Sequence, residues 1–107
     1  MSNLPFAPVN VPSGSTDYLA IPAISGKRIW VTAVAVLVGS SQTNVTFNSK
    51  GSGAGTAISC LFACAANGGI VLPKNGDGWF QTNIGEALTV TTSSGSTAGI
   101  QLLWIAV

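Results

Sequence analysis

The residues that could do chemistry are few. Asp77 and Glu86 are acids close in sequence, and they bracket Trp79. Two carboxylates flanking a glycosidic bond can hydrolyse it, one as acid and the other as base or nucleophile. An indole beside them could stack on the sugar. The same residues also read as turn formers. Asp77 lies in Asn75-Gly76-Asp77-Gly78, and Glu86 follows Asn83-Ile84-Gly85 just before an apolar alternation. We take the turn reading. The chain has no histidine, so the commonest general base is missing and neither a Ser-His-Asp nor a Cys-His arrangement can be built. Gly51, Gly53 and Gly55 alternate in Lys50–Gly55. With no strand-then-helix context and no Lys-Thr pair after them, they read as a flexible loop and not as a phosphate cradle. The chain therefore reads as non-enzymatic, with no cofactor implied.

Cys60 and Cys64 would lie about 13 Å apart in a strand that rises ~3.3 Å per residue. A disulfide needs Cα atoms within about 7 Å, so they could pair only if the segment is helical or folded back. Two thiolates without histidine are too few for a structural zinc. The reading left is two small hydrophobes with reduced thiols, at least one of them buried. Trp79-Phe80 follows a turn, so one of the pair should face in and the other out. An outward aromatic marks a contact surface.

The elements that must position these residues are strands. At 107 residues the chain is one domain, and a domain of this size buries roughly 65% of its unfolded surface. Lys27–Val38 is the longest run. By strict alternation it places Arg28, Trp30, Thr32, Val34 and Val36 on one face and Ile29, Val31, Ala33, Ala35 and Leu37 on the other. Residues 17–21, 43–49, 57–65, 70–72, 79–82, 87–92 and 98–107 read as the remaining strands, separated by Gly, Ser, Asn and Pro turns. The 57–65 segment is also open to a helical turn. About eight strands at this spacing predict an all-β fold, an antiparallel β-sandwich or jelly roll over residues 15–107.

Residues 1–14 carry Pro5, Pro8 and Pro12 together with Leu4, Phe6, Val9 and Val11. Proline at this spacing forbids a helix and favours an extended N-terminal arm. The four apolar side chains should be covered, either by the arm's own domain or by a neighbour. With Trp79 and Phe80 they are the candidate interface residues.

Charged residues make up 7% of the chain, against about 25% in an ordinary soluble domain. Ser, Thr, Asn and Gly take their place, leaving little repulsion to keep copies apart. That suits a surface consumed by assembly. A net charge of +1 provides no basic stripe for nucleic acid. The N-terminus has neither the positive nor the apolar region of a signal peptide. The apolar run Ile29–Val38 is half of the ~20 residues a membrane helix needs, so no membrane partner is expected.

An ordered set of segments resembles a family. It runs through Ile24-Ser-Gly-Lys-Arg-Ile-Trp-Val31, Val45-Thr-Phe-Asn-Ser49, Ala65-Ala-Asn-Gly-Gly-Ile-Val-Leu-Pro73, Gly78-Trp-Phe-Gln-Thr82 and Gly85-Glu-Ala-Leu-Thr-Val90, and closes on an apolar last strand. Over residues 16–107 this resembles the small capsid decoration, or cement, proteins of tailed bacteriophages. The resemblance implies a β-sandwich, in most cases a homotrimer, made in the host cytoplasm and bound to the outside of the virion. There it would bridge major capsid protein subunits. It implies no catalytic residue. The Pro-rich arm is longer than that pattern. A reading of another class is a carbohydrate- or receptor-binding tip of a phage tail or fibre, which an exposed aromatic platform would favour.

Overall fold

The computed structural model describes residues 6–107, with side chains from Pro8 onward. The protein is all-β. Its strands are β1 (Phe6–Val11), β2 (Tyr18–Ile21), β3 (Ile29–Val38), β4 (Thr43–Lys50), β5 (Thr56–Ala57), β6 (Phe62–Cys64), β7 (Gly69–Leu72), β8 (Phe80–Gln81), β9 (Ala87–Thr92) and β10 (Ala98–Ala106). They form two five-stranded sheets. The first runs β1-β10-β3-β7, with β8 also pairing β3; the second runs β2-β9-β4-β5, with β6 also pairing β4. Every pairing is antiparallel.

Strand β3 is long because Ile29–Val38 is rich in β-branched residues and meets no breaker before Gly39. Its side chains do not alternate strictly. Ile29 and Val31 are buried, and so are Val34, Val36 and Val38, while Leu37 is 64% exposed. The inward phase therefore changes between Val31 and Val34. The cause is a bulge: Leu103 and Trp104 are consecutive on β10 but oppose Ala33 and Val31, leaving Thr32 as the extra residue. The Thr32 hydroxyl donates to the Leu103 carbonyl at 3.1 Å. Strict alternation, which put Ile29 and Val31 on the face of Leu37, is corrected by this one inserted residue.

The apolar segment 57–65 is not one strand. It splits into β5 and β6, which pair with opposite ends of β4. Residues 6–11 add a further strand, so the described chain has ten strands against the eight expected. β1 pairs with β10 at all six of its positions. Val11 has no exposed surface and belongs to the core, and Val9 packs against it. Of the two ways to cover the proline-rich segment, residues 6–11 use their own domain.

One hydrophobic cluster takes side chains from both sheets, including Val11, Val31, Val36, Ile100 and Leu102 from the first and Val45, Phe47, Leu88 and Val90 from the second. Phe47 is its aromatic centre. Its ring stacks on Phe80 at 4.9 Å and meets Phe62 edge-on at 6.2 Å. The turn before β8 packs on Trp30 of β3 through Gly78, whose φ of 77° suits glycine. A Cβ there would run into the Trp30 indole.

The bulge makes a sharp forecast for two adjacent residues. Val36→Ala should lower unfolding stability by about 1–3 kcal/mol through loss of buried contacts. Leu37→Ala should change it by less than about 0.5 kcal/mol. Urea denaturation of the two variants measures the difference, and equal costs would contradict the face assignment.

Candidate docking surfaces

Two acids, Asp17 and Glu86, are occupied within the fold. Asp17 sits at φ 50° at the head of β2. Its Oδ1 accepts from Asn48 Nδ2 at 3.1 Å and Thr89 Oγ1 at 3.0 Å, and its Oδ2 accepts from the Gly55 amide at 3.0 Å. Glu86 Oε1 accepts from Ser49 Oγ at 2.7 Å and Asn83 Nδ2 at 3.3 Å. The Lys50–Gly55 loop, expected to be flexible, is held at Gly55 by the Asp17 carboxylate and lies against Glu86 at Gly51. Asp77 lies in a turn closed by its own amide donating to Asn75 Oδ1 at 3.0 Å. The two carboxylates that bracket Trp79 in sequence serve different local structures. Among the described residues no group of three or more His, Cys, Asp or Glu could hold a metal ion.

The remaining charges are segregated by topology. Val11, Val38 and Ala98 align across the first sheet, so the connections following β1 and β3 and preceding β10 meet at one end. The connection before β7 joins them, through Asn67 N to Gly39 O at 2.6 Å and Val38 N to Gly68 O at 2.9 Å. Residues 12–16, 39–42, 65–68 and 93–97 at this end contain no charged residue; Asp17 closes the β1–β2 connection and bonds its carboxylate to Asn48, Gly55 and Thr89. Lys27, Arg28, Lys50 and Glu86 lie in or beside the connections at the opposite end, and Lys74 and Asp77 lie in the β7–β8 connection.

Among the described residues, two exposed apolar surfaces are concave. The first is a cleft of about 340 Å³ lined by Ile58, Cys60, Phe62, Leu72, Trp79 and Phe80, with Ser59 at its edge. Alternation after the turn places Trp79 outward, at 42% exposure, and Phe80 inward against Phe47. The Trp79 indole N–H donates to the Pro73 carbonyl at 2.7 Å, which fixes the ring while part of its surface meets solvent. Leu61, 58% exposed, follows Cys60 in the chain.

The second surface is the outer face of the first sheet. Registers place Pro8, Gln101, Ala35 and Val71 in one cross-strand row, and Asn10, Gly99, Leu37 and Gly69 in the next. Leu37 and Val71 are 64% and 73% exposed. Neither row contains a charge.

The candidate interface residues are therefore dispersed. Trp79 is at the surface, Phe80 lies below it, Val11 is in the core and Val9 is half-buried. Leu4, and the side chain of Phe6, lie outside the described residues. Leu37, Val71, Asn10 and Gln101 were not candidates. Leu37 is in an unbroken apolar run, where only the bulge reveals that it points outward.

Comparison with known proteins returns no relative: no family model matches the chain, and no curated protein or solved structure matches it significantly.

Both thiols are free, Cys60 exposed and Cys64 buried. Burial raises the Cys64 thiol above its ordinary value. Iodoacetamide at mildly alkaline pH should alkylate Cys60 in the native protein and Cys64 at least about tenfold more slowly. The two rates should converge in denaturant. Mass spectrometry of the labelled peptides reads both, and rapid native labelling of Cys64 would contradict its placement.

Proposed function

We propose that this protein is a non-enzymatic virion component, a β-sandwich decoration protein that binds the outside of an assembled phage capsid and stabilises it by bridging major capsid protein subunits. The observation that carries this reading is the segregation of charge. Residues 12–16, 39–42, 65–68 and 93–97 at one end, and the outer rows of the first sheet through Leu37 and Val71, carry no charge, while the opposite end carries Lys27, Arg28, Lys50 and Glu86. A module that docks one way on a protein lattice needs this polarity. The docked side loses water, where an unpaired charge would cost several kcal/mol. The far side stays in water and keeps the particle soluble. Covering Leu37 and Val71 would contribute about 1–2 kcal/mol each. Repeated over many copies, such modest contacts hold a shell together. Low charge and apolar surface also support self-association, for which a homotrimer is the proposed state.

A cement protein binds the closed shell better than the ruptured one and so shifts the balance towards it by mass action. Particles lacking this protein should rupture at lower temperature, and adding purified protein should restore their resistance. Leu37→Lys with Val71→Lys should abolish that restoration, whereas Lys27→Ala with Arg28→Ala should not. The competing reading, a carbohydrate- or receptor-binding tip, is favoured by the half-exposed Trp79 ring. It forecasts heads of normal robustness and failed adsorption to cells; that pair of results would overturn the capsid reading.

A further inference from the structure

The outer face of the first sheet is grooved as well as apolar. A depression of about 760 Å³ crosses β1, β10, β3 and β7. Its floor is made of small residues, Gly99 and Ala35, and Leu37 and Val71 rise beside them. Three carboxamides line it, those of Asn10, Gln101 and Asn67. All three residues are exposed, and none of these side chains makes a hydrogen bond to a described residue.

A carboxamide presents a donor and an acceptor side by side, the same pair that a peptide bond presents. Asn10 pairs with Gly99, so Gln101 is its diagonal neighbour on β10. Diagonal neighbours on one face are about 7–8 Å apart. An extended chain repeats its side-chain direction every two residues, or ~6.6 Å. The two amides are therefore spaced to meet alternate peptide groups of a chain lying obliquely across the strands. From β1 to β7 is three strand spacings, ~14 Å, the length of about four extended residues. No charged residue lines the groove, so a charged segment would lose its hydration there without a partner.

We propose that this groove binds an extended, uncharged peptide segment of a partner protein, holding its backbone with Asn10 and Gln101 and its apolar side chains against Leu37 and Val71. The inference rests on the reading of this face as the docking surface and specifies what is docked there.

Gly99 provides the means to test it. A Cβ at this position would meet only the Leu37 carbonyl at 3.6 Å and Asn10 Oδ1 at 3.7 Å, ordinary contacts. Gly99→Val should fill the groove and leave the fold intact. The probe is the pentapeptide Ac-Thr-Val-Ser-Val-Thr-NH2, titrated into the isotope-labelled full chain at millimolar concentration and followed by amide and methyl chemical shifts. Shifts should concentrate on Asn10, Leu37, Val71, Gly99 and Gln101. The same peptide N-methylated at both valines, and Ac-Lys-Val-Lys-Val-Lys-NH2, should bind at least about tenfold more weakly. Gly99→Val should remove the shifts. Asn10→Ala with Gln101→Ala, both at exposed positions, should weaken binding by a similar factor and supplies a second test if the valine variant does not fold. No binding at millimolar peptide, equal binding of the N-methylated peptide, or shifts centred on the Trp79 cleft would each overturn the proposal. So would shifts on this face that follow dilution of the protein alone, which would make the occupant a second copy, or that follow added oligosaccharide instead of peptide. Loss of capsid binding by the Leu37 and Val71 variants together with a silent peptide titration would leave the capsid reading standing and this one refuted.

Discussion

The pairing of β3 with β10 is the constraint on which the rest of the molecule depends. β10 sends Ile100, Leu102 and Trp104 toward the core opposite Val36, Val34 and Val31. β3 cannot match it by simple alternation, because Val31 and Val34 are an odd number of residues apart. The bulged Thr32 absorbs the difference. Without it, a period of two would turn either Ile29 and Val31 or Val34, Val36 and Val38 to the outside, since a shift of one residue flips every side chain beyond it. The same residue decides the surface. By setting Val36 inward it sets Ala35 and Leu37 outward, and with them the floor and one wall of the groove.

This explains what was legible in the sequence. Strand positions were readable where a run of β-branched residues meets a glycine, as at Val38-Gly39, or a proline, as at Leu72-Pro73. That Trp79 and Phe80 face opposite ways followed from alternation after a turn; which of them faces out did not. The bulge was hidden because Ile29–Val38 is apolar on both faces, so either phase has a plausible hydrophobic side. β1 was hidden for another reason. Proline marks an edge strand and an extended arm alike, and only the cross-strand partners of Pro8 and Val11 separate them. The groove had no local signal at all. It is defined by residues that are small, Gly99 and Ala35, on strands far apart in sequence.

The carboxylates illustrate how few charges this fold can place. Asp17 accepts two side-chain hydrogen bonds and a backbone amide, and Glu86 accepts two side-chain bonds. Asp17 therefore fastens the Lys50–Gly55 loop at Gly55, and Glu86 ties the end of β4 to the β8–β9 connection. Hydrogen bonds to charged groups contribute about 1.5–3 kcal/mol, which is a large share of the stability of a domain this size. Of the three acids in the chain, two are thus used to tie connections to the second sheet.

A β-domain with so little charge must still avoid indiscriminate association, and its edges show how. An open edge strand offers unpaired backbone groups to any other strand. Here the edges are short or contain proline. β1 contains Pro8, β2 ends before Pro22, β7 has four residues and ends before Pro73, and β5 has two. Proline cannot donate to a ladder, so edge-to-edge growth meets a gap at β1, β2 and β7, and β5 is too short to extend one. Contact is thereby directed from the edges to the faces. On the outer face of the second sheet Asn48, Thr89 and Thr91 bond to one another or to Asp17, which leaves fewer polar groups free for a partner. The first sheet's outer face differs in keeping the Asn10 and Gln101 side chains unbonded to any described residue, beside apolar walls. A partner that satisfies those amides gains hydrogen bonds and apolar burial together, so specificity comes from the face that the fold leaves incomplete.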